Sequence, residues 1–176
     1  MVSNPNFKAQ KQSSLAGLKD HMIDAPIVAI INRFNRLPFC YTLQSCYGHF
    51  VYEDQPDPHN VNPLPTTHIP TPIKYRIAYI AFAIAKSDGG RNFRQTLSKL
   101  VELDPETIQF CSADWFWKKQ VNTFALQVEP DRFKHQDTAI LNYGEARNVE
   151  AVRNAFFDHI THLEWESLSS GGSHGM

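Results

Sequence analysis

The sequence predicts a single α/β domain, a mixed β-sheet covered by amphipathic helices. Three observations carry this. Five short runs rich in β-branched and aromatic residues read as strands. Several segments repeat apolar residues at i, i+3, i+4 and i+7, the stripe of a helix lying on a core. A chain of 176 residues that is 42% hydrophobic holds enough apolar material for one core and one domain.

The elements follow in order. Residues 7–22 are polar, with Leu15, Leu18 and Met22 at helical spacing, and give a first helix. Asp24-Ala25-Pro26 starts a second. There Asp24 suits the N-cap and Pro26 the first turn. Ile27, Ile30, Ile31, Phe34 and Leu37 share one face, Arg33 and Arg36 lie opposite, and Pro38 ends the helix, so it spans 24–37. Strands over 39–43 and 50–52 flank a sharp turn. Residues 53–72 hold Pro56, Pro58, Pro63, Pro65, Pro70 and Pro72, six of the eleven prolines. Proline removes donors and restricts its neighbour, so this stretch is a long loop.

A strand over 77–85 is apolar on both faces and is therefore covered on both. Asp88-Gly89-Gly90 reads as a turn. Phe93, Leu97, Leu100 and Val101 mark a helix over 92–102. Strands follow at 107–111 and 123–128, with a short helical turn or strand end between them. Val149, Val152, Phe156, Ile160 and Leu163 align on one face of a long helix over 143–163. The domain spans 1–168. The Gly/Ser/His tail at 169–176 reads as disordered or expression-derived and is left out of the fold.

Charge and cysteine content narrow the function. A formal net charge of −1 argues against a strongly basic nucleic-acid binder. Arg33, Arg36, Lys74, Arg76, Arg91 and Arg94 leave room for a local basic groove, or for scattered solvated charge. Three cysteines give no disulfide framework. No secretory pattern opens the chain and no apolar run reaches membrane-spanning length. The expectation is a cytoplasmic protein with no membrane partner.

The chemistry gathers at Ser45-Cys46-Tyr47-Gly48-His49. A strand that ends in this run presents a hydroxyl, a thiol, an imidazole and free backbone N–H groups together. Gly48 permits a positive φ or a close approach. Cys46 with His49 as base has the residue types of a thiol nucleophile. The same thiol also suits a binding site, or plain burial beside a turn. A metal reading stands beside these: Cys46, His49, His59 and His68 offer a Cys-x2-His pair and two more donors to zinc. His159 and His162 form a second i, i+3 pair. Trp115, Phe116 and Trp117 with Lys118 and Lys119 suit either base stacking and phosphate contact or core packing.

The first fifty residues resemble the wybutosine-synthesising protein 3 family, the methyltransferases of the tRNA wyosine pathway. The resemblance lies in Ile30-Ile31-Asn32 and in Tyr41, Thr42, Ser45, Cys46 and Gly48 of the strand and turn. Asp24 stands where that family often has an acidic residue. Leu43, Gln44, Tyr47 and His49 depart from its pattern. A second echo is Trp117-Lys118 ahead of the strand at 123–128, with Gln127 in place of the family's His. The resemblance implies an α/β fold, S-adenosylmethionine as methyl donor and a tRNA base as acceptor. On that implication Ser45, Cys46 and His49 stand at the catalytic centre, with Thr42, Ser45 and Gly48 toward the cofactor. Trp117, Lys118, His59 and His68 stand toward the substrate. The alternative is a non-enzymatic or metal-binding module on the same scaffold, with Cys46 and His49 as zinc ligands. In either case the proline loop is expected to fold over the Cys46–His49 turn.

Overall fold

The computed structural model describes residues 1–69, 72–114, 120–133 and 136–164. Helices pack with antiparallel sheets in one α/β domain, as the sequence predicts. The helices are α1 (Phe7–Gly17), α2 (Val28–Arg36), α3 (Asp88–Ser98) and α4 (Tyr143–His162). The strands are β1 (Cys40–Cys46), β2 (His49–Val51), β3 (Ile73–Arg76), β4 (Ala78–Ile84), β5 (Ile108–Ser112), β6 (Thr123–Val128) and β7 (Thr138–Leu141). Among the described residues every strand pair is antiparallel, where the sequence suggested a mixed sheet.

The strands divide into two sheets. One has the order β1-β4-β6-β5, and the other β2-β3-β7. The chain crosses between them three times, and the first two crossings are very short. Cys46 ends β1 in the larger sheet and His49 begins β2 in the smaller one, with Tyr47 and Gly48 as the whole connection. β3 then returns to the larger sheet through Ile77 alone and continues as β4. The strand expected over 77–85 is β4, and β3 directly ahead of it belongs to the other sheet.

Tyr75 explains the break. Its hydroxyl donates to the Val128 carbonyl at 3.0 Å and accepts from the Ala78 N–H at 2.9 Å, so a side chain takes bonds that a continuous ladder would make. The two short crossings touch. A Cβ built on Gly48, where φ is +90°, would lie 2.8 Å from Ala78 Cβ and 3.1 Å from Tyr75 Cε2. Only glycine meets both the torsion and the space.

The core lies between α2, α3 and α4 and the sheets. Phe34 of α2, Phe82 of β4 and Phe93 of α3 meet edge to face, with ring centroids 5.2–6.1 Å apart. Asp88-Gly89-Gly90 is the first turn of α3, because the Ser87 side chain accepts the Gly90 N–H at 3.0 Å and caps the helix there. Asn142 and Glu145 form a capping box at the start of α4. No helix among the described residues is long and apolar enough to cross a membrane.

Candidate functional site

Asp24 precedes a 3₁₀ turn (Ala25–Ile27) and α2, yet its side chain caps neither. The carboxylate reaches instead across to the crossing between the sheets. Its Oδ2 accepts the Tyr47 N–H at 2.7 Å and lies 3.2 Å from His49 Nε2. The other ring nitrogen, His49 Nδ1, lies 3.0 Å from the Asn60 carbonyl and donates to it. Cys46 completes the group, its sulfur accepting the Gly48 N–H at 3.4 Å. One donor atom each from Asp24, Cys46 and His49 lie within 4.8 Å of one another. This is the group of three such donors found among the described residues.

Each donor comes from a different element: the segment before α2, the end of β1 and the start of β2. The group is enclosed, with Asp24 20% exposed, Cys46 8% and His49 2%. Burial works against charge on His49, but its hydrogen bonds to Asp24, Cys46 and Asn60 outweigh it and raise the imidazole to about 10. Burial likewise pushes the Asp24 carboxyl up, but the bonds from His49 and the Tyr47 N–H, with the charges of His49 and His59, bring it below its usual range. The raised imidazole and lowered carboxyl make Asp24 and His49 an ion pair with a proton between them.

α4 braces this crossing. Arg153 is buried, donates to the Gly48 carbonyl at 2.8 Å, and lies over the rings of Tyr47 and Phe50 at 4.1 and 5.1 Å. One turn back, buried Glu150 accepts from the Leu64 N–H at 2.7 Å and from Arg147 at 2.6 Å. α4 thus grips the turn and the proline loop together. Leu64 and Ile69 of that loop are buried, and Tyr143 donates to the Pro65 carbonyl at 2.8 Å. The loop meets the site at Asn60 and then runs along α4.

The residues that the sequence grouped together are only partly adjacent. Cys46, Gly48 and His49 meet. Ser45 neighbours Cys46 on β1 and so points to the opposite face of the strand. Thr42 is buried four residues up the strand, where its N–H donates to Asn35 Oδ1 at 2.8 Å and its hydroxyl bonds the same side chain. His59 is exposed with its ring 6.0 Å from that of His49. His68 packs on Tyr143 and lines a separate cleft of about 300 Å³ with Pro72 and Ile140. His162 bonds the Asp158 carbonyl on the surface of α4. Trp117, Lys118 and the tail at 169–176 lie outside the described residues. Sequence reasoning passed over Asp24 as a donor, along with Asn60, Glu150 and Arg153. The acidic residue ahead of α2 was visible, but a cap explained it too readily.

No family model matches the chain, and no curated protein matches it. Among solved structures, the PH1069 protein from Pyrococcus horikoshii is similar over 94% of this chain and 93% of that one, at 14% identity and a TM-score of 0.46.

Proposed function

We propose that this chain is a metal-binding module in which Asp24, Cys46 and His49 hold a divalent transition ion, zinc by its donor set. The observation that carries the reading is the convergence of an oxygen, a sulfur and a nitrogen from three separate elements. Ligand atoms around a tetrahedral zinc lie roughly 3.3–3.5 Å apart, given bonds of about 2.0–2.3 Å. Asp24 Oδ2 and His49 Nε2 are already at 3.2 Å. The Asn60 carbonyl fixes the proton on His49 Nδ1, which turns Nε2 toward the other donors, the usual support of a metal-ligating histidine. The Gly48 N–H aimed at the Cys46 sulfur matches the hydrogen bonds that support metal-bound sulfur. A cation here takes the place of the proton between Asp24 and His49, so binding releases protons. The burial of Cys46 and His49 suits a structural site better than a catalytic one.

The test is metal analysis of protein purified without a histidine tag, with cobalt substitution as the spectroscopic check. Expected are one ion per chain and a sulfur-to-cobalt charge-transfer band, both lost in Asp24→Asn, Cys46→Ser and His49→Gln. Native protein that takes up neither zinc nor cobalt removes the proposal.

A second reading is S-adenosylmethionine-dependent methyl transfer to a tRNA base. One observation favours it: Gly48, which the resembling run shares, is stereochemically required at φ +90°, so the shared motif is built as a motif. In such a site the protein mainly orients donor and acceptor. Calorimetric titration with S-adenosylmethionine decides it, and no heat at millimolar ligand ends it.

A further inference from the structure

We infer that His59, carried by the proline loop, is the fourth ligand of this metal, so that binding the ion fastens the loop onto the crossing between the two sheets. The inference rests on the three-donor site proposed above and adds to it a fourth ligand from the loop.

Three donors leave one tetrahedral position to fill. His59 lies beside the group, its ring centroid 6.0 Å from that of His49 and the planes inclined at 74°. Two imidazoles on one tetrahedral zinc have centroids roughly 5 Å apart, given Zn–N bonds of about 2.0–2.1 Å. A closure of roughly 1 Å therefore brings the pair to ligand spacing.

The backbone around His59 is already in place. Its N–H donates to Asp57 Oδ1 at 2.9 Å, and the Asn60 N–H donates to the Asp57 carbonyl at 3.2 Å. Arg76 holds the Pro58 carbonyl at 3.2 Å, and His49 holds the Asn60 carbonyl at 3.0 Å. The peptides on both sides of His59 are fixed while its imidazole remains exposed. The prolines reduce the entropy that the loop loses on docking. His68 belongs to the other end of the loop, packed on Tyr143, and takes no part.

The experiment titrates zinc into the full chain against a competing chelator, for native protein, His59→Ala and His21→Ala. His21 is an exposed histidine distant in sequence from the loop and controls for adventitious uptake. Limited proteolysis of residues 53–64, with and without zinc, follows the loop. Expected is a loss of affinity in His59→Ala beyond the ~10–100-fold that an outer partner of a ligand supplies. Zinc should protect the loop in native protein and in His21→Ala, but not in His59→Ala. If His59→Ala binds as tightly as native protein and its loop is equally protected, His59 is not a ligand, and the three-donor site still stands. If native protein takes up no zinc, the site itself fails and this ligand with it.

Discussion

Replacing Gly48 with alanine places a methyl group where the two short crossings between the sheets touch. Two separate penalties arise. A residue with a Cβ at φ +90° loses about 1–3 kcal/mol to backbone strain. The new Cβ would also sit 2.8 Å from Ala78 Cβ and 3.1 Å from the Ala78 nitrogen. Neither neighbour can rotate away, because Ala78 opens the β4 strand and its N–H is held by Tyr75. Such overlap adds about 1–3 kcal/mol. The expected total is about 2–6 kcal/mol, a large share of the ~5–15 kcal/mol that keeps a domain folded. Equilibrium urea unfolding measures it. Gly90→Ala is the companion: a Cβ there meets the Ala85 carbonyl oxygen and Ile84 Cγ2, in the first turn of α3, far along the chain from the donors. Both variants should lose stability, but only Gly48→Ala should also disturb the Asp24–Cys46–His49 geometry and weaken zinc uptake by the folded fraction. A Gly48→Ala protein within ~0.5 kcal/mol of native, the range of an ordinary surface change, would refute the argument.

Two more substitutions probe the same region. Tyr75→Phe keeps the ring and removes the hydroxyl that serves the Val128 carbonyl and the Ala78 N–H. Two buried backbone groups lose their partner, so urea unfolding should show a loss of about 2–4 kcal/mol with no new cavity. A loss under ~0.5 kcal/mol would mean that the strand break does not depend on this bond. Arg153→Met keeps most of the apolar stem but takes the cation from the Gly48 carbonyl and from the rings of Tyr47 and Phe50. Glu150, 3.9 Å from Arg153, keeps the Leu64 N–H and Arg147, so the loss should fall near the lower end of the ~3–5 kcal/mol of a broken buried pair. Unchanged stability would show that α4 does not brace the turn.

Helical periodicity was legible wherever a helix lies on the core. Ile30, Ile31 and Phe34 are buried on α2, and Val149, Phe156 and Ile160 on α4, where the spacing placed them. The strands at 39–43, 107–111 and 123–128 hold to within a few residues. The strand at 77–85 holds as β4, but β3 ahead of it was not legible, since its break from β4 depends on one tyrosine hydroxyl reaching a strand 53 residues away. β7, four residues with no turn signal read beside it, was not legible either. At the site, Cys46, Gly48 and His49 are neighbours in sequence and were found together. Asp24 and Asn60 join them only through tertiary contact. A carboxylate ahead of a helix has a local explanation that hides a distant one. The membership of Ser45 failed for a simpler reason: adjacent strand residues face opposite ways.

The division of the chain at residues 46–49 has a mechanical consequence. Cys46 moves with one sheet and His49 with the other, while Asp24 moves with the segment before α2. Any change in the angle between the sheets alters the spacing of the three donor atoms directly, with two residues as the lever arm. The donor group therefore works as a gauge of that angle. The two sheets already share one core, and an ion seated in the group would act as a rivet at their edge, a second tie between them.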